Sequence, residues 1–538
     1  MESERTSVIC YSIILFSIVL AIYTVFTTTI IDVSPYEWGL VSKLPPPYWT
    51  GLSGVGALVL IGRKSKKWLA IALFLTVLYL YGIPAFITVN PRVMMTSYPA
   101  AEGKLIADGG RFIPDKEDLY RYHNTPGFLF FVAVLELVTK IPLEALCKYF
   151  PLLTISLYGL LVYSALRLKF EVSRSLMGTL WFICSWFVWQ DYFSPQSIGF
   201  SFFLLIFVFV ARNSLGEKNQ AAPLRDSLVL LLLFFAAVMT HLLTALMILV
   251  LFLVLFAFYK DSRRLLSGYV IVAVLVIASC YVVFEATPLF NQIVSEILSS
   301  FPGLLSLQFA RGQVAGSFVE GLNNLTRYVI IAVGLIAVLL FLSMRKEGNY
   351  RKFLLLSLFA LILPMFISPY GLSEMMQRVY MFSLVLLAFM VVRSFASRKT
   401  LILCAIIFLL LCLHIPAYFG GSSFEIVTNS EVAGAKFYLN TVNMNSSIFS
   451  LTLKLVNLMR FEKPASIKGP LYLQYLQPIN YTLIETFLEK AQFVAYSKSD
   501  CNQFLYYQGR IPVSENNIEP HFNRVYDNPY VQIFSSHG

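Results

Sequence analysis

Residues 49–87 read WTGLSGVGALVLIGRKSKKWLAIALFLTVLYLYGIPAFI. An apolar run from Trp49 to Gly62 meets Arg63-Lys64-Ser65-Lys66-Lys67, and a second apolar run follows from Trp68 to Ile87. Crossing a bilayer as a helix takes about 20 apolar residues. A cluster of basic residues between two such runs marks a cytoplasmic loop. This stretch therefore predicts two membrane spans joined on the inside.

The pattern extends both ways. Towards the N-terminus, Val8 to Ile30 forms a further apolar run after the short polar MESER start. It is long for a signal-peptide core and lacks a small-residue cleavage site, so it reads as a retained first span with the N-terminus inside. Towards the C-terminus, basic loops recur at Arg167–Arg174, Arg212–Arg225, Lys260–Arg264, Arg345–Lys352 and Arg393–Lys399, with paired apolar runs between them. All these loops fall inside under one topology, provided that the short run Pro126–Lys140 does not cross. It then reads as a re-entrant or membrane-surface helix, which needs protein or a water-filled cavity around its backbone. The expected fold is an all-α polytopic membrane protein of about 13 spans plus that helix. After about Gly420 the chain turns polar. Helical spacing at Glu431–Val442 and Leu483–Gln492, and strand-like runs at Phe493–Tyr496, Arg524–Tyr526 and Tyr530–Phe534, predict a small extracytoplasmic α/β domain. The expected divisions are 1–87, N-terminal helices; 88–147, the first large outer loop with the re-entrant segment; 148–418, the helical bundle; and 419–538, the soluble domain.

Composition agrees. The chain is 57% hydrophobic and only 13% charged, about half the charged share of a soluble protein, and its mean hydropathy is +0.71. The net charge of +11 sits in loops between apolar runs, not in a stripe interleaved with exposed aromatics, so nucleic acid is excluded as a partner. Five of the seven cysteines lie in apolar runs, Cys147 is placed at a helix junction, and Cys501 is alone in the tail, so the tail has no internal disulfide. No metal-binding cysteine or histidine spacing appears. Sequons at Asn324, Asn445 and Asn480 all fall outside in this topology.

No phosphate-binding glycine loop, H-E-x-x-H or nucleophile elbow is present. Chemistry is therefore expected at the outer face, where polar residues collect. In Tyr98–Ile106 the apolar turns allow a surface helix with Glu102 turned to a cavity, where a carboxylate suits deprotonation of a hydroxyl acceptor or holding a cation. Asp108 is a second candidate; Asp115, Glu117 and Asp118 read better as a solvated charge run. Asp191, at the outer end of a span, either lines a site or caps a helix. His241, at the tight turn of a long apolar stretch, either titrates or simply holds the turn. Arg378 suits a lipid phosphate, because its guanidinium fork matches phosphate oxygens; the competing reading is a snorkelling arginine or one paired with Glu374. Glu136 is expected to pair with Lys140 at helical spacing.

The run Tyr122–Arg174 resembles the membrane-embedded GT-C glycosyltransferases. The residues are His123-Asn124-Thr125-Pro126-Gly127, then Lys148-Tyr149-Phe150-Pro151-Leu152-Leu153, then Tyr163 with Arg167. Asp191-Tyr192-Phe193-Ser194-Pro195-Gln196 resembles the outer-end motif of the next helix pair. Tyr496–Asp500 and Arg524–Asn528 resemble the outer domain of archaeal members. The resemblance implies an enzyme of the outer face that takes a sugar from a polyprenyl-phosphate carrier and passes it to a glycan, lipid or protein acceptor. On that reading Glu102 and Asp108 are catalytic candidates, and His123, Asp191, His241 and Arg378 bind substrate. A divalent cation is allowed, with no ligands assigned. Where many such enzymes carry an aspartate, this sequence has Met95-Thr96-Ser97-Tyr98. Two other readings stay open: a transporter or flippase of lipid-linked sugars, and a catalytically inactive scaffold of the same fold.

Overall fold

The computed structural model describes residues 2–30, 38–112, 114, 122–215, 224–287, 291, 318–344, 348–366, 372–395, 400–421, 426–441, 448–450, 471–472, 487–488, 490–497, 500–501, 518, 522–527 and 531–536. The chain begins with α1 (Glu2–Thr27), α2 (Pro46–Gly62) and α3 (Lys66–Ile87). Pro46 and Pro47 start α2, where a missing N–H costs nothing. Near its end α3 widens into a π turn at Leu78–Gly82, ahead of Pro84, which cannot donate to the helix ladder.

Two short helices follow. α4 (Ser97–Gly109) ends at Gly110, whose φ of +63° places it in the left-handed region; its N–H closes the turn on Ile106. α5 (Gly127–Thr139) has 13 residues and ends at Lys140, so it is about 20 Å long. That is too short for a hydrocarbon core of about 30 Å, as parity expects of a helix that does not cross. Its outward residues Val134, Leu137 and Val138 are exposed and apolar.

The bundle continues with α6 (Leu143–Leu166), α7 (Val172–Cys184), α8 (Pro195–Leu215), α9 (Leu224–Thr240), α10 (Leu242–Phe258), α11 (Gly268–Phe284), α12 (Phe318–Ser343), α13 (Gly348–Ile362), α14 (Leu372–Phe395) and α15 (Thr400–Phe419). Among the described residues seven helices are long and apolar enough to cross a membrane unaided: α1, α3, α6, α8, α12, α14 and α15. The shorter ones pack against them, and α7 is prolonged by the buried run Ser185–Val188. α14 is the most enclosed span, with Met381–Val392 buried on every side, as a helix apolar all round should be. The fold is thus all-α and polytopic, with a small C-terminal sheet.

The sheet has the order β2-β1-β3-β5-β4, from β1 (Ile448–Ser450), β2 (Leu471–Tyr472), β3 (Phe493–Ser497), β4 (Phe522–Asp527) and β5 (Val531–Ser536). β1, β2 and β3 run parallel; β5 lies antiparallel to β3 and β4. Alternating residues feed two cores. Ile448, Ala495 and Ile533 pack with Ala435 and Tyr438 of α16 (Asn429–Thr441), while Phe449, Val494 and Phe534 form the opposite core with Ala491 and Ile518. α16 starts two residues before the position expected. Thr428 and Glu431 form a reciprocal cap: Glu431 Oε2 accepts the Thr428 N–H at 2.9 Å and Thr428 Oγ1 accepts the Glu431 N–H at 3.1 Å.

Three local expectations are corrected. Cys147 is buried inside α6, which begins at Leu143 after Pro142, not at a junction. Glu136 does not pair with Lys140, because Lys140 takes a positive φ of 56° and leaves the helix. The Asn324 sequon lies within α12, with the Thr326 hydroxyl buried and bonded to Asn323 O, so it lends the topology no support. Asn445, Asn480 and half of Leu483–Gln492 lie outside the described residues.

Candidate functional site

α4 lies on α5 because its contact face is small. Ala100 and Ala101 are buried, and a Cβ on Gly103 would stand 2.4 Å from Val132. That approach brings Glu102 to the turn Tyr122–Asn124, where Glu102 Oε2 and His123 Nε2 are 3.2 Å apart. The Glu102 side chain keeps 19% of its surface exposed and His123 9%, so the carboxylate is partly open while the imidazole is nearly enclosed. The Phe112 ring stands 5.3 Å from the imidazole. Tyr281 of α11 donates to Asn124 O at 2.9 Å and fixes the turn.

The start of α5 abuts the end of α9: a Cβ on Gly127 would meet Thr240 Oγ1 at 2.9 Å and Met239 backbone at 3.0 Å. The next residue is His241, in extended conformation between α9 and α10. Its Nδ1 accepts the Thr244 N–H at 3.3 Å and lies 2.9 Å from Thr244 Oγ1. A ring nitrogen that accepts a backbone N–H carries no proton, so the proton belongs to Nε2. Burial, and after it the Arg378 charge, pushes the imidazole down to about 3. His241 is therefore a neutral donor at ordinary pH.

α8 completes this side. A Cβ on Gly199 would lie 3.1 Å from His241 Cβ. One helical turn earlier, Gln196 Oε1 accepts from Arg378 Nη1 at 2.7 Å. Both side chains are buried, and Gln196 Nε2 has no hydrogen-bond partner.

Asp191 sits a few residues before Gln196, fully enclosed. The Tyr418 hydroxyl donates to its carboxylate at 2.6 Å and 2.5 Å; Arg92 donates to the same hydroxyl at 2.7 Å and stacks over the Tyr418 ring at 4.3 Å. Thr154 Oγ1 holds the Asp191 carbonyl at 2.8 Å. Burial raises the Asp191 carboxyl above its usual range, although Arg92 and Tyr418 pull the other way. Two residues on, Phe193 packs edge-on against Phe128 and Phe150, which joins this connection to α5 and α6.

The structure thus brings Glu102 to His123, and Arg378 to Gln196 near His241; the start of α5, three residues after Asn124, abuts Thr240 beside His241. Asp191 is placed with Tyr418 and Arg92. Asp108 joins none of these: it is exposed and six residues past Glu102, roughly 240° round the helix. Asp115, Glu117 and Asp118 and the Glu374 side chain lie outside the described residues. Among the described residues no group of three or more His, Cys, Asp or Glu side chains is placed to hold a metal ion. Sequence reasoning missed Arg92, Tyr418 and Gln196 as site residues. Gln196 stood within the quoted outer-end motif, but Arg92 and Tyr418 are 326 residues apart, and nothing local announces such a pair.

The chain shares its overall fold with solved structures of the GT-C fold. The structure superposes on Cupriavidus metallidurans ArnT bound to undecaprenyl phosphate with a TM-score of 0.53 at 12% identity, covering 88% of this chain and 98% of that one. The archaeal oligosaccharyltransferase AglB of Archaeoglobus fulgidus, in complex with an inhibitory peptide and a dolichol-phosphate, superposes with a TM-score of 0.52 at 11% identity, covering 83% and 71%. The Archaeoglobus fulgidus enzyme tethered with an acceptor peptide gives 0.51 at 9% identity, covering 88% and 74%. No protein-family model and no curated protein matches the sequence. At these identities the likeness is one of fold.

Proposed function

We propose that this chain is a glycosyltransferase that moves a sugar from a polyprenyl-phosphate carrier to an acceptor on the extracytoplasmic face, with its N-terminus cytoplasmic and its sheet domain outside. What supports this reading is the Glu102–His123 carboxylate–imidazole pair, together with the Arg378–Gln196 pair beside His241, in a bundle of this fold. Solved proteins of this fold hold undecaprenyl phosphate or a dolichol-phosphate. In this chain Glu102 takes the proton of an acceptor hydroxyl. The acceptor oxygen bonds to the anomeric carbon of the sugar, and the bond from that carbon to the carrier phosphate oxygen breaks. The phosphate leaves with the electron pair, and Arg378 holds its charge. His123 orients Glu102. Asp191 acts by fixing the loop that precedes Gln196.

The test is sugar transfer by purified protein from polyprenyl-phosphate sugars to glycan, lipid and peptide acceptors. Turnover is expected, and Glu102→Gln should lower it by about 10²- to 10⁴-fold, the usual range for a general base. Movement of the lipid-linked sugar across proteoliposomes without transfer would replace this reading with transport. Carrier binding without turnover would replace it with an inactive scaffold, the reading that the acid-free Met95–Tyr98 stretch favours.

A further inference from the structure

Three aromatic rings meet inside the bundle beside the Asp191–Tyr418 pair. Tyr81 of α3 stands 5.3 Å from the His414 ring and 5.5 Å from the Tyr418 ring, and His414 and Tyr418, both on α15, stack at 5.2 Å. The Tyr418 hydroxyl goes to Asp191. The other two rings carry polar atoms that nothing satisfies. Among the described residues neither the Tyr81 hydroxyl nor His414 Nε2 has a hydrogen-bond partner, and the two residues are only 2% and 0% exposed. A buried polar atom of this kind calls for an occupant. His414 is oriented through its other nitrogen: Nδ1 lies 3.3 Å from the Cys184 carbonyl at the end of α7. A carbonyl only accepts, so Nδ1 carries the proton and Nε2 of the neutral ring is an acceptor. Tyr81 belongs to the π turn Leu78–Gly82, and such turns gather at functional sites. In the same turn Tyr79 donates to Ser17 O at 2.6 Å and accepts at its carbonyl from the Tyr48 hydroxyl at 2.9 Å. The turn thus has its neighbouring tyrosine hydroxyls matched to carbonyls and sets Tyr81 against the His414 ring.

We propose that Tyr81 and His414 bind one ordered water molecule between them, and that this water links α3 to α15 beside Asp191. The chemistry selects the occupant. His414 Nε2 accepts, so the ligand must donate, which excludes an anion. One imidazole nitrogen and one phenol fall short of the four or more ligands that a metal ion takes. Both residues are almost without exposure, which excludes a bulky polar molecule. Water both donates and accepts, and a buried water is held by two to four polar partners. Here it donates to His414 Nε2 and accepts from the Tyr81 hydroxyl. The Cys184 carbonyl, His414, the water and Tyr81 then form one hydrogen-bonded chain across α7, α15 and α3. Tyr418 packs against both rings, so Tyr81 and His414 are positioning residues for its bond to Asp191. None of this requires the transferase reading.

The test is X-ray hydroxyl-radical footprinting of the full chain in detergent micelles, with the oxidation rate of each residue read by mass spectrometry. Radicals form where water is bound, so an enclosed side chain is oxidised quickly only beside an ordered water. Tyr48 and Tyr158 are the controls: both are fully buried, and their hydroxyls go to the carbonyls of Tyr79 and Ser197 at 2.9 Å and 2.7 Å. Tyr81 should be oxidised several-fold faster than either. In His414→Phe, which keeps a ring and removes both nitrogens, Tyr81 should fall to the rate of the controls. Should that variant not fold, Tyr81→Phe gives the reciprocal reading, a several-fold fall in the oxidation of His414. Each variant expels the same water, so their losses of thermal stability should not add in the double variant. Oxidation of Tyr81 no faster than that of the controls would overturn the inference. So would a fast rate kept in His414→Phe, or additive losses in the double variant. Sugar transfer is not among these readouts, so the transferase reading stands or falls separately.

Discussion

At the scale of single residues, the surroundings separate the two histidines of the site. His123 sits against a carboxylate at 3.2 Å. His241 sits near an arginine and is held neutral by burial, down to about 3. An unfolded histidine titrates near 6.5. As pH falls from about 6.5 towards 3, the unfolded chain takes a proton at His241 that the folded chain refuses. Stability from this residue is therefore complete above pH 6.5 and is lost as pH falls, with a limiting slope of about 1.4 kcal/mol per pH unit. His241→Gln, which keeps a neutral polar side chain, removes that slope. Thermal unfolding in micelles between pH 7.5 and 4.5 should show the variant less stable than wild type at neutral pH, with the gap narrowing on acidification. A gap that is constant or widens would show that His241 is charged in the folded protein.

At the scale of elements, the short α4–α5 pair decides the geometry of the proposed base. The two helices meet at Gly103, where any side chain would overlap Val132 and crowd the Leu129 carbonyl at 3.2 Å. Gly103→Leu must therefore part the helices, at a cost of about 1–3 kcal/mol, and break the Glu102–His123 contact. Turnover should fall by about 10²-fold or more, while carrier binding at Arg378, on α14, is kept. A variant that loses both equally would mean that the α4–α5 pair supports the carrier site as well. The existence of these helices was legible in the sequence. Positive-inside parity, summed over the basic loops, singled out Pro126–Lys140, and the apolar turns of Tyr98–Ile106 announced α4 by their local spacing. The pairing of Glu102 with His123 was not legible, since 21 residues of irregular charge separate them. The Thr428–Glu431 cap sets the start of α16 at Asn429, two residues before the helical spacing at Glu431 announces it.

At the scale of the whole molecule, Tyr418 stands where the bundle passes into the sheet domain. Its hydroxyl joins Asp191 and Arg92, and its carbonyl accepts from Trp189 Nε1 at 2.5 Å. Beside it, Arg327 of α12 donates to Ala417 O at 2.9 Å. Further along, Asn90 of the first loop donates to Val427 O and to Asn429 Oδ1, both at 3.0 Å. The first loop, the α7–α8 connection, α12 and the root of the sheet domain are thus tied at one point by contacts that span 90 to 339 residues. No periodicity or motif encodes such ties, which is why the bundle was readable from the sequence and the fastening of its domain was not. Bundle and domain should consequently unfold in one calorimetric transition. Tyr418→Phe leaves the enclosed Asp191 carboxylate without its hydroxyl donor, at a cost of about 1.5–3 kcal/mol for a hydrogen bond to a charged group. The sheet domain should then melt first, and the connection after Phe419 should become cleavable by protease while the bundle stays intact. Pairing Tyr418→Phe with Asp191→Asn removes the stranded charge, so the double variant should regain much of the loss. A single unperturbed transition in Tyr418→Phe would show that the Asn90 and Arg327 contacts suffice to hold the domain, and that the buried carboxylate serves only the loop leading to Gln196.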